Sequence, residues 1–594
     1  MKYHRFNLCP RALALALLLG LSLALHAEPS LKETMDGIVT RFYETMPPEE
    51  LAALDQDTVL ALITPEERHI LATKYWYFDV NVPVAVSVIH NTDQPLVPFW
   101  LQESGFNKTS LTLKNTEDWP FEVWQREFDA GRVELGINGF DMHRTVYCVC
   151  VGPKDPAATL EITNRFPASE AVITMDDGAW KYRDWDDLYL KDVPESLKGQ
   201  RLLTTFRGRA REAHLVGAFR TTPYPSSATP DQVTLTWSED PKSTQTVQWR
   251  TNTSVKHGAV RHRKKDANDW TEVPAACQVI EDRLLMNDRY VNHFTAVLRG
   301  LEPATTYAYV VGDPHGKTWS EEAEFTTAPA ENTPFSFLCL SDTHYSETGG
   351  KLLQAAFKQH PGTAFYLIAG DVVSTGLFRD QWDKQITYAR GVAERKPIAF
   401  CLGNHDDQDG LGASMPLALF AFPENGPEGV EPERTYSFRY GNALFLVMDV
   451  GTSHEVQARW MEEQLAKTDA TWKFAIFHFP LYSVEEDYPA IRQRWTEVFD
   501  RYHVDLVFHG HVHYYLRTKP MHAQRPVATP AEGTVYTISI AQSGRSRPMP
   551  AADYAAKRFT GVAVYPHIAI DGRRLVYRAY DIDGAVRDEL IIEK

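Results

Sequence analysis

The sequence predicts a multidomain chain: a mostly β N-terminal module preceded by helices, then a β-sandwich, then an α/β domain built on two sheets. Three observations carry that prediction. At 594 residues the chain exceeds what one ordinary hydrophobic core supports. Alternating apolar and polar residues dominate the stretch 217–330. From Phe335 onward, short β-branched and aromatic runs alternate with segments of helical spacing, the pattern of βα units around a largely parallel core.

The first residues carry Lys2, Arg5 and Arg11, an apolar run from Ala12 to Leu25, and a small Ala27. That is the layout of a secretory signal cut after Ala27, and the run is shorter than the roughly 20 residues needed to cross a bilayer. The expected mature protein begins at Glu28, is periplasmic or extracellular, and has no membrane span. Apolar content of 43% and charged content of 23% are those of a globular protein. Removing the three basic residues takes the formal charge from −17 to about −20. With no basic stripe in the chain, a nucleic-acid polymer is not an expected partner. A small phosphorylated substrate remains compatible, because a bound metal can outweigh distant surface charge.

Five cysteines follow the signal, Cys148, Cys150, Cys277, Cys339 and Cys401, and an odd number excludes a fully paired disulfide framework. Thr64, Pro65, Glu66 and Glu67 form a helix start, a capping Thr with Pro in the first turn. Strands follow to about Val151. Residues 28–165 therefore read as a helix-plus-β module of undetermined role, and 166–216 as a connector rich in Asp and Trp. In the stretch 217–330, Val233–Trp237, Thr246–Thr251 and Phe294–Leu298 alternate as strands, with Trp237 and Trp249 as core fillers. The run Leu301 to Tyr307 reproduces the tyrosine corner of a fibronectin type III-like sandwich.

The α/β domain, 335–594, carries the chemistry. Five strand-like runs each end in metal-type ligands: Phe335–Leu340 before Asp342 and His344; Phe365–Ala369 before Gly370 and Asp371; the run ending at Leu402 before Gly403, Asn404, His405 and Asp406; Trp472–Phe477 before His478; and Val504–Phe508 before Gly510, His511 and His513. In open α/β folds ligands gather beyond the carboxyl ends of strands. Oxygen and imidazole donors without thiolate suit Fe, Zn or Mn. Asp342, His344, Asp371, Asn404, His478, His511 and His513 are too many for one ion and would saturate two if one carboxylate bridged them. Two ions about 3.5–4 Å apart can activate water and clamp an in-line displacement at phosphorus.

Asp342-x-His344, Gly370-Asp371, Gly403-Asn404-His405-Asp406, His478 and Gly510-His511-x-His513 resemble the five-block signature of the calcineurin-like metallophosphoesterases over residues 335 to about 590. The preceding sandwich, Phe477–Pro480 and Gly510–Tyr515 further resemble the purple acid phosphatase branch. The resemblance implies a four-layer α/β domain with a two-sheet core. It also implies one ion on Asp342, His344, Asp371 and His513, and another on Asp371, Asn404, His478 and His511. Purple acid phosphatases place a tyrosine ligand where this chain has Ser374 and lack His344, so His344 is expected to fill that coordination place. Ser374, Thr375 and Gly376 also replace the Asp-Arg-Gly of the protein-phosphatase branch.

The function expected is hydrolysis of small phosphomonoesters by metal-hydroxide attack, with His405 assisting the leaving group and Asp406 as a second catalytic candidate. A phosphodiesterase using the same site is the alternative within enzymes. A non-catalytic binding or surface scaffold is the alternative outside them. His509 reads as a packing residue. Arg517, Arg545 and Arg547 read as solvated surface more readily than as phosphate contacts.

Overall fold

The computed structural model describes residues 28–143, 145–168, 171–183, 185–329, 333–408, 410–542 and 546–594. The signal-like stretch 1–27 and Arg545 lie outside them. Among the described residues no helix is long and apolar enough to cross a membrane.

The N-terminal module opens with four helices, Leu31–Thr45, Pro48–Ala52, Gln56–Leu62 and Pro65–Thr73. Ser30 with Glu33 and Thr64 with Glu67 form reciprocal capping boxes that satisfy the first backbone N–H groups of their helices. The sheet beside them has eight strands, with Val84–Asn91 between Cys148–Pro153 and Pro120–Phe128. This corrects the reading of 166–216 as a connector. Val172–Thr174, Trp180–Tyr182, Trp185–Lys191 and Arg201–Leu203 all join that sheet, at its two ends. Three of these strands are only three residues long, too short to show alternation, and the sequence between them is polar.

The second domain is a sandwich of a four-stranded and a five-stranded sheet. Trp249 stacks on Phe294 at 5.4 Å in its core. The Tyr307 hydroxyl accepts the Glu302 N–H at 2.9 Å, which makes the tyrosine corner. Trp237 does not fill this sandwich. It sits at a strand end and inserts between Phe365, Phe438 and Tyr440 of the following domain, with centroids 5.3–5.7 Å apart.

Buried ion pairs fasten the same boundary. Arg250 of the sandwich meets Asp383 Oδ2 at 2.7 Å, and Arg379 reaches the same oxygen at 2.8 Å. Arg220 bridges Asp282 at 2.6 Å and Asp380 at 3.0 Å.

The C-terminal domain packs two mixed sheets face to face. One has six strands, with Phe335–Leu340, Phe365–Ala369 and Ile398–Cys401 running parallel. The other has seven, with Ala443–Val447, Trp472–Ile476, Leu506–His509 and Val535–Ile538 parallel in that order. Phe337, from the first sheet, touches Phe445, Phe474 and Phe508 of the second at 5.1–6.0 Å. Ring packing of this kind fixes the two sheets against each other. Helices such as Glu347–Gln359 and Pro489–Tyr502 cover the outer faces through their apolar sides. The parallel strands of both sheets therefore end along one rim, and each ligand block lies just past such an end.

Candidate metal centre and active site

Asp342, His344, Asp371 and His511 all sit at positive φ, between 43° and 75°. Non-glycine residues adopt this conformation at a cost, and its concentration in the turns after the strands is the backbone feature expected of a functional site. Asp342 and Asp371 are almost fully buried. The His511 N–H donates to Asp342 at 3.0 Å, and the His405 N–H donates to Asp371 Oδ1 at 3.0 Å. Each carboxylate is thus anchored by the backbone of another ligand block.

The imidazoles are aimed by their second nitrogens. His478 Nδ1 donates to the Ala369 carbonyl at 2.8 Å, and His344 Nδ1 meets the Ser374 hydroxyl at 3.2 Å. Their Nε2 atoms then lie 3.1 Å and 3.6 Å from Asp371 Oδ2. Neither Nε2 makes a hydrogen bond although both are buried, and the buried Asn404 Oδ1 is likewise without a partner. Orphaned donor atoms around a buried carboxylate are what a cation site requires. The donors form three overlapping clusters: Asp342, His344 and His513; Asp371, His478 and His511; and His344, Asp371 and His405. Asp371 belongs to two of them, so its carboxylate is shared. His513 Nε2 stands 3.5 Å from Asp342 Oδ1 at the exposed edge.

Charge agrees with geometry. Burial would lower the His478 imidazole, but the Asp371 and Asp342 carboxylates outweigh it and raise it to about 10. Burial would raise Asp371, and the surrounding imidazoles instead hold it well below its ordinary value. The pocket therefore retains positive charge beside these carboxylates, carried by protons where no cation is bound. His344 goes the other way, lowered to about 4 chiefly by burial, and so stays neutral and available as a donor.

Glycines keep the strand ends clear. A Cβ on Gly403 would overlap Asp371 Oδ1, and one on Gly510 would overlap Asp342 Oδ2. Above this floor opens a cavity of about 320 Å³, lined by Asp371, Asn404, His405, His511 and His513. It falls at the lower end of small-ligand pockets.

Residues 230–327 match the purple acid phosphatase N-terminal domain, and residues 335–515 match the calcineurin-like phosphoesterase family. The chain carries these two domains in that order. An uncharacterized protein of Mycobacterium tuberculosis is 27% identical over 361 residues, covering 51% of this chain and 67% of its own. The Fe(3+)-Zn(2+) purple acid phosphatase 12 of Arabidopsis thaliana is 25% identical over 325 residues, covering 51% and 67%. The chain spans about two thirds of the length of these curated relatives. A purple acid phosphatase isolated from yellow lupin (Lupinus luteus) seeds shares the fold, with a TM-score of 0.55 at 15% identity over 88% of this chain and 91% of that one.

Several residues of the phosphoesterase domain stand differently from the sequence reading. Asp406 is fully buried, does not line the cavity, and accepts three backbone N–H groups, from Gly403 at 3.0 Å, Val373 at 3.1 Å and Val372 at 3.2 Å. It ties the loop bearing Asn404 and His405 to the turn bearing Asp371, which makes it a positioning residue and corrects its placing among the catalytic groups. Arg517 is neither solvated nor near the cavity, being paired with Asp588 at 2.6 Å. Arg547 pairs with Glu485 at 2.7 Å. His509 is buried between Phe477 and Tyr536 and packs as expected.

Sequence reasoning missed Glu486. Its carboxylate meets His511 Nε2 at 2.9 Å, and it also lines the cavity. The His511 contact outweighs burial and lowers Glu486 to about 2. In the sequence it sits within Glu485, Glu486 and Asp487, a run that reads as solvated loop. It also missed Arg183, Phe206 and Arg207, which reach the cavity from the N-terminal module.

Proposed function

We propose that the protein is an exported, metal-dependent phosphoesterase that hydrolyses small phosphomonoesters. The observation that carries the reading is the Asp371 carboxylate shared between two histidine clusters on the floor of a cavity. The donor set fits two borderline cations: Asp342, His344, Asp371 and His513 would hold one, and Asp371, Asn404, His478 and His511 the other. The matched plant relatives, named as purple acid phosphatases, support both the metal pair and the monoester preference.

When bound, two such ions supply a water acidified to neutral pH and the positive charge that draws phosphoryl oxygens. The chain's own residues then orient the exchange. Asp371 and Asp342 are held by backbone N–H donors, so neither carboxylate must reorganise during reaction. His405 donates through Nδ1 to the Ser374 carbonyl at 2.8 Å, so any proton delivered to the departing alkoxide comes from Nε2. His344 stands 4.9 Å away, ring edge to face, and limits how far that imidazole can turn.

The test is hydrolysis of a chromogenic phosphomonoester beside the matching diester, with added Mn, Zn or Fe and an Asp371→Asn control. Monoester turnover that the control abolishes is the expected result. Turnover of the diester alone moves the assignment to phosphodiesterase, and no turnover under any metal favours a binding scaffold. Sequencing the N-terminus of exported protein should find Glu28 first, whereas a chain retained in the cytoplasm beginning at Met1 would contradict export.

A further inference from the structure

We infer that Glu486 is a positioning residue for one of the two ions: its carboxylate sets the orientation and tautomer of His511, so that Nδ1 of that imidazole is the atom offered to a cation. The inference rests on the metal pair of the proposed function and adds a residue on which only one of the two sites depends.

The acidic run Glu485, Glu486 and Asp487 lies between the strand Trp472–Ile476 and the helix Pro489–Tyr502. Its outer members are neutralised by guanidinium groups, Glu485 by Arg547 at 2.7 Å and Asp487 by Arg492. Glu486 pairs instead with an imidazole. It accepts from His511 Nε2 at 2.9 Å, and among the described residues it forms no ion pair with Lys or Arg. The Tyr488 hydroxyl donates to the same carboxylate oxygen and holds it in place.

The ring packing of His511 leaves its direction open. The imidazole lies 4.5 Å from Phe479 and 5.0 Å from His478, contacts that hold the ring but do not distinguish one edge from the other. A half-turn about the Cβ–Cγ bond exchanges ring nitrogens for carbons, so only a hydrogen-bonding group separates the two poses. The contact with Glu486 is the one hydrogen bond of this side chain among the described residues. A carboxylate accepts, so Nε2 carries the proton and the lone pair falls on Nδ1. A ring nitrogen of His511 stands within 4.8 Å of the Asp371 and His478 donor atoms. With Nε2 committed to Glu486, the nitrogen left to a cation is Nδ1. Glu486 thus does for His511 what the Ala369 carbonyl does for His478, with a charged acceptor in place of a neutral one.

The dependence is one-sided. Among the described residues Glu486 has no hydrogen bond or ion pair with Asp342, His344 or His513, the cluster of the other ion. His511 reaches Asp342 through its backbone N–H, a bond that a turned ring leaves intact. Loss of the carboxylate should therefore weaken the ion on Asp371, Asn404, His478 and His511 and spare the other.

The experiment strips full-length protein of metal, dialyses it against graded Zn and reads bound Zn by elemental analysis, for the wild type, Glu486→Ala and Glu486→Gln. Glu486 is half-buried on a loop, so both variants should fold, with Tm as the check. The wild type should fill two sites. Glu486→Ala should keep one at wild-type affinity and bind the second about 10–100-fold more weakly. Glu486→Gln, whose amide oxygen still accepts from Nε2, should recover most of that loss. Equal weakening of both sites, an unchanged second site in Glu486→Ala, or a Gln variant no better than Ala overturns the inference and leaves the metal pair standing. A wild type that binds fewer than two ions overturns the metal pair and the inference with it.

Discussion

Asp406→Asn separates positioning from catalysis. The carboxylate lies in a fully buried position and collects three backbone N–H groups, two on Oδ2 and one on Oδ1. Asn can keep the two bonds to one oxygen, but its amide NH₂ then faces the Val373 N–H, donor against donor. Losing one bond to a charged acceptor and leaving a donor buried costs about 2–4 kcal/mol. Asp406→Ala strands all three donors, on the order of 3–9 kcal/mol, which approaches the whole stability of a typical domain at about 5–15 kcal/mol. The Asn variant is therefore the informative one. Its displaced loop carries Asn404 and His405, so metal affinity should fall by about 10–100-fold, as for lost outer-shell partners elsewhere. Thermal melts, metal titration and kcat at saturating metal form the assay. The expected result is a lower Tm, weaker metal binding and a kcat that excess metal largely restores. A kcat reduced more than about 100-fold at saturating metal, with Tm and affinity unchanged, would refute the positioning role.

Other outcomes follow from particular contacts. Arg250→Ala leaves Asp383 facing only Arg379 in a buried site, and should destabilise the chain by about 3–5 kcal/mol in urea unfolding; a loss under about 1 kcal/mol would show that the interface is not held by this pair. Gly403→Ala drives a methyl group into Asp371 and should abolish metal binding while the circular dichroism spectrum stays native. Ser374→Ala removes the hydroxyl beside His344 Nδ1 and should weaken metal affinity about tenfold. Iron-loaded wild type should lack a visible tyrosinate band, because Ser374 stands at the tyrosine position, and such a band would show that another tyrosine has taken its place.

The candidate donors could be picked out together because each follows a short apolar run, so strand ends could be found without coordinates. His344, Asp371 and His478 converge as that grammar implied. Asp406 was legible as part of the block but not in its role, since a carboxylate at a strand end can face either the cavity or the backbone behind it. Trp237 was read as sandwich core because its strand alternates correctly, yet it lies at the strand's end and crosses into the next domain. The short strands between 172 and 203 were invisible for want of length. Glu486 gave no local signal, because the imidazole it meets, His511, lies far from it in sequence.

The measurement closest to the central claim is metal stoichiometry of purified mature protein, by elemental analysis after equilibrium dialysis, for the wild type and Asp371→Asn. Because Asp371 lies in two of the three donor clusters and its Oδ2 stands within 3.6 Å of both His344 and His478, the account predicts two ions per wild-type chain and loss of tight binding for both in the variant. One ion lost and one kept at full affinity would show that the carboxylate is not shared, and a wild type that holds no metal would contradict the account altogether.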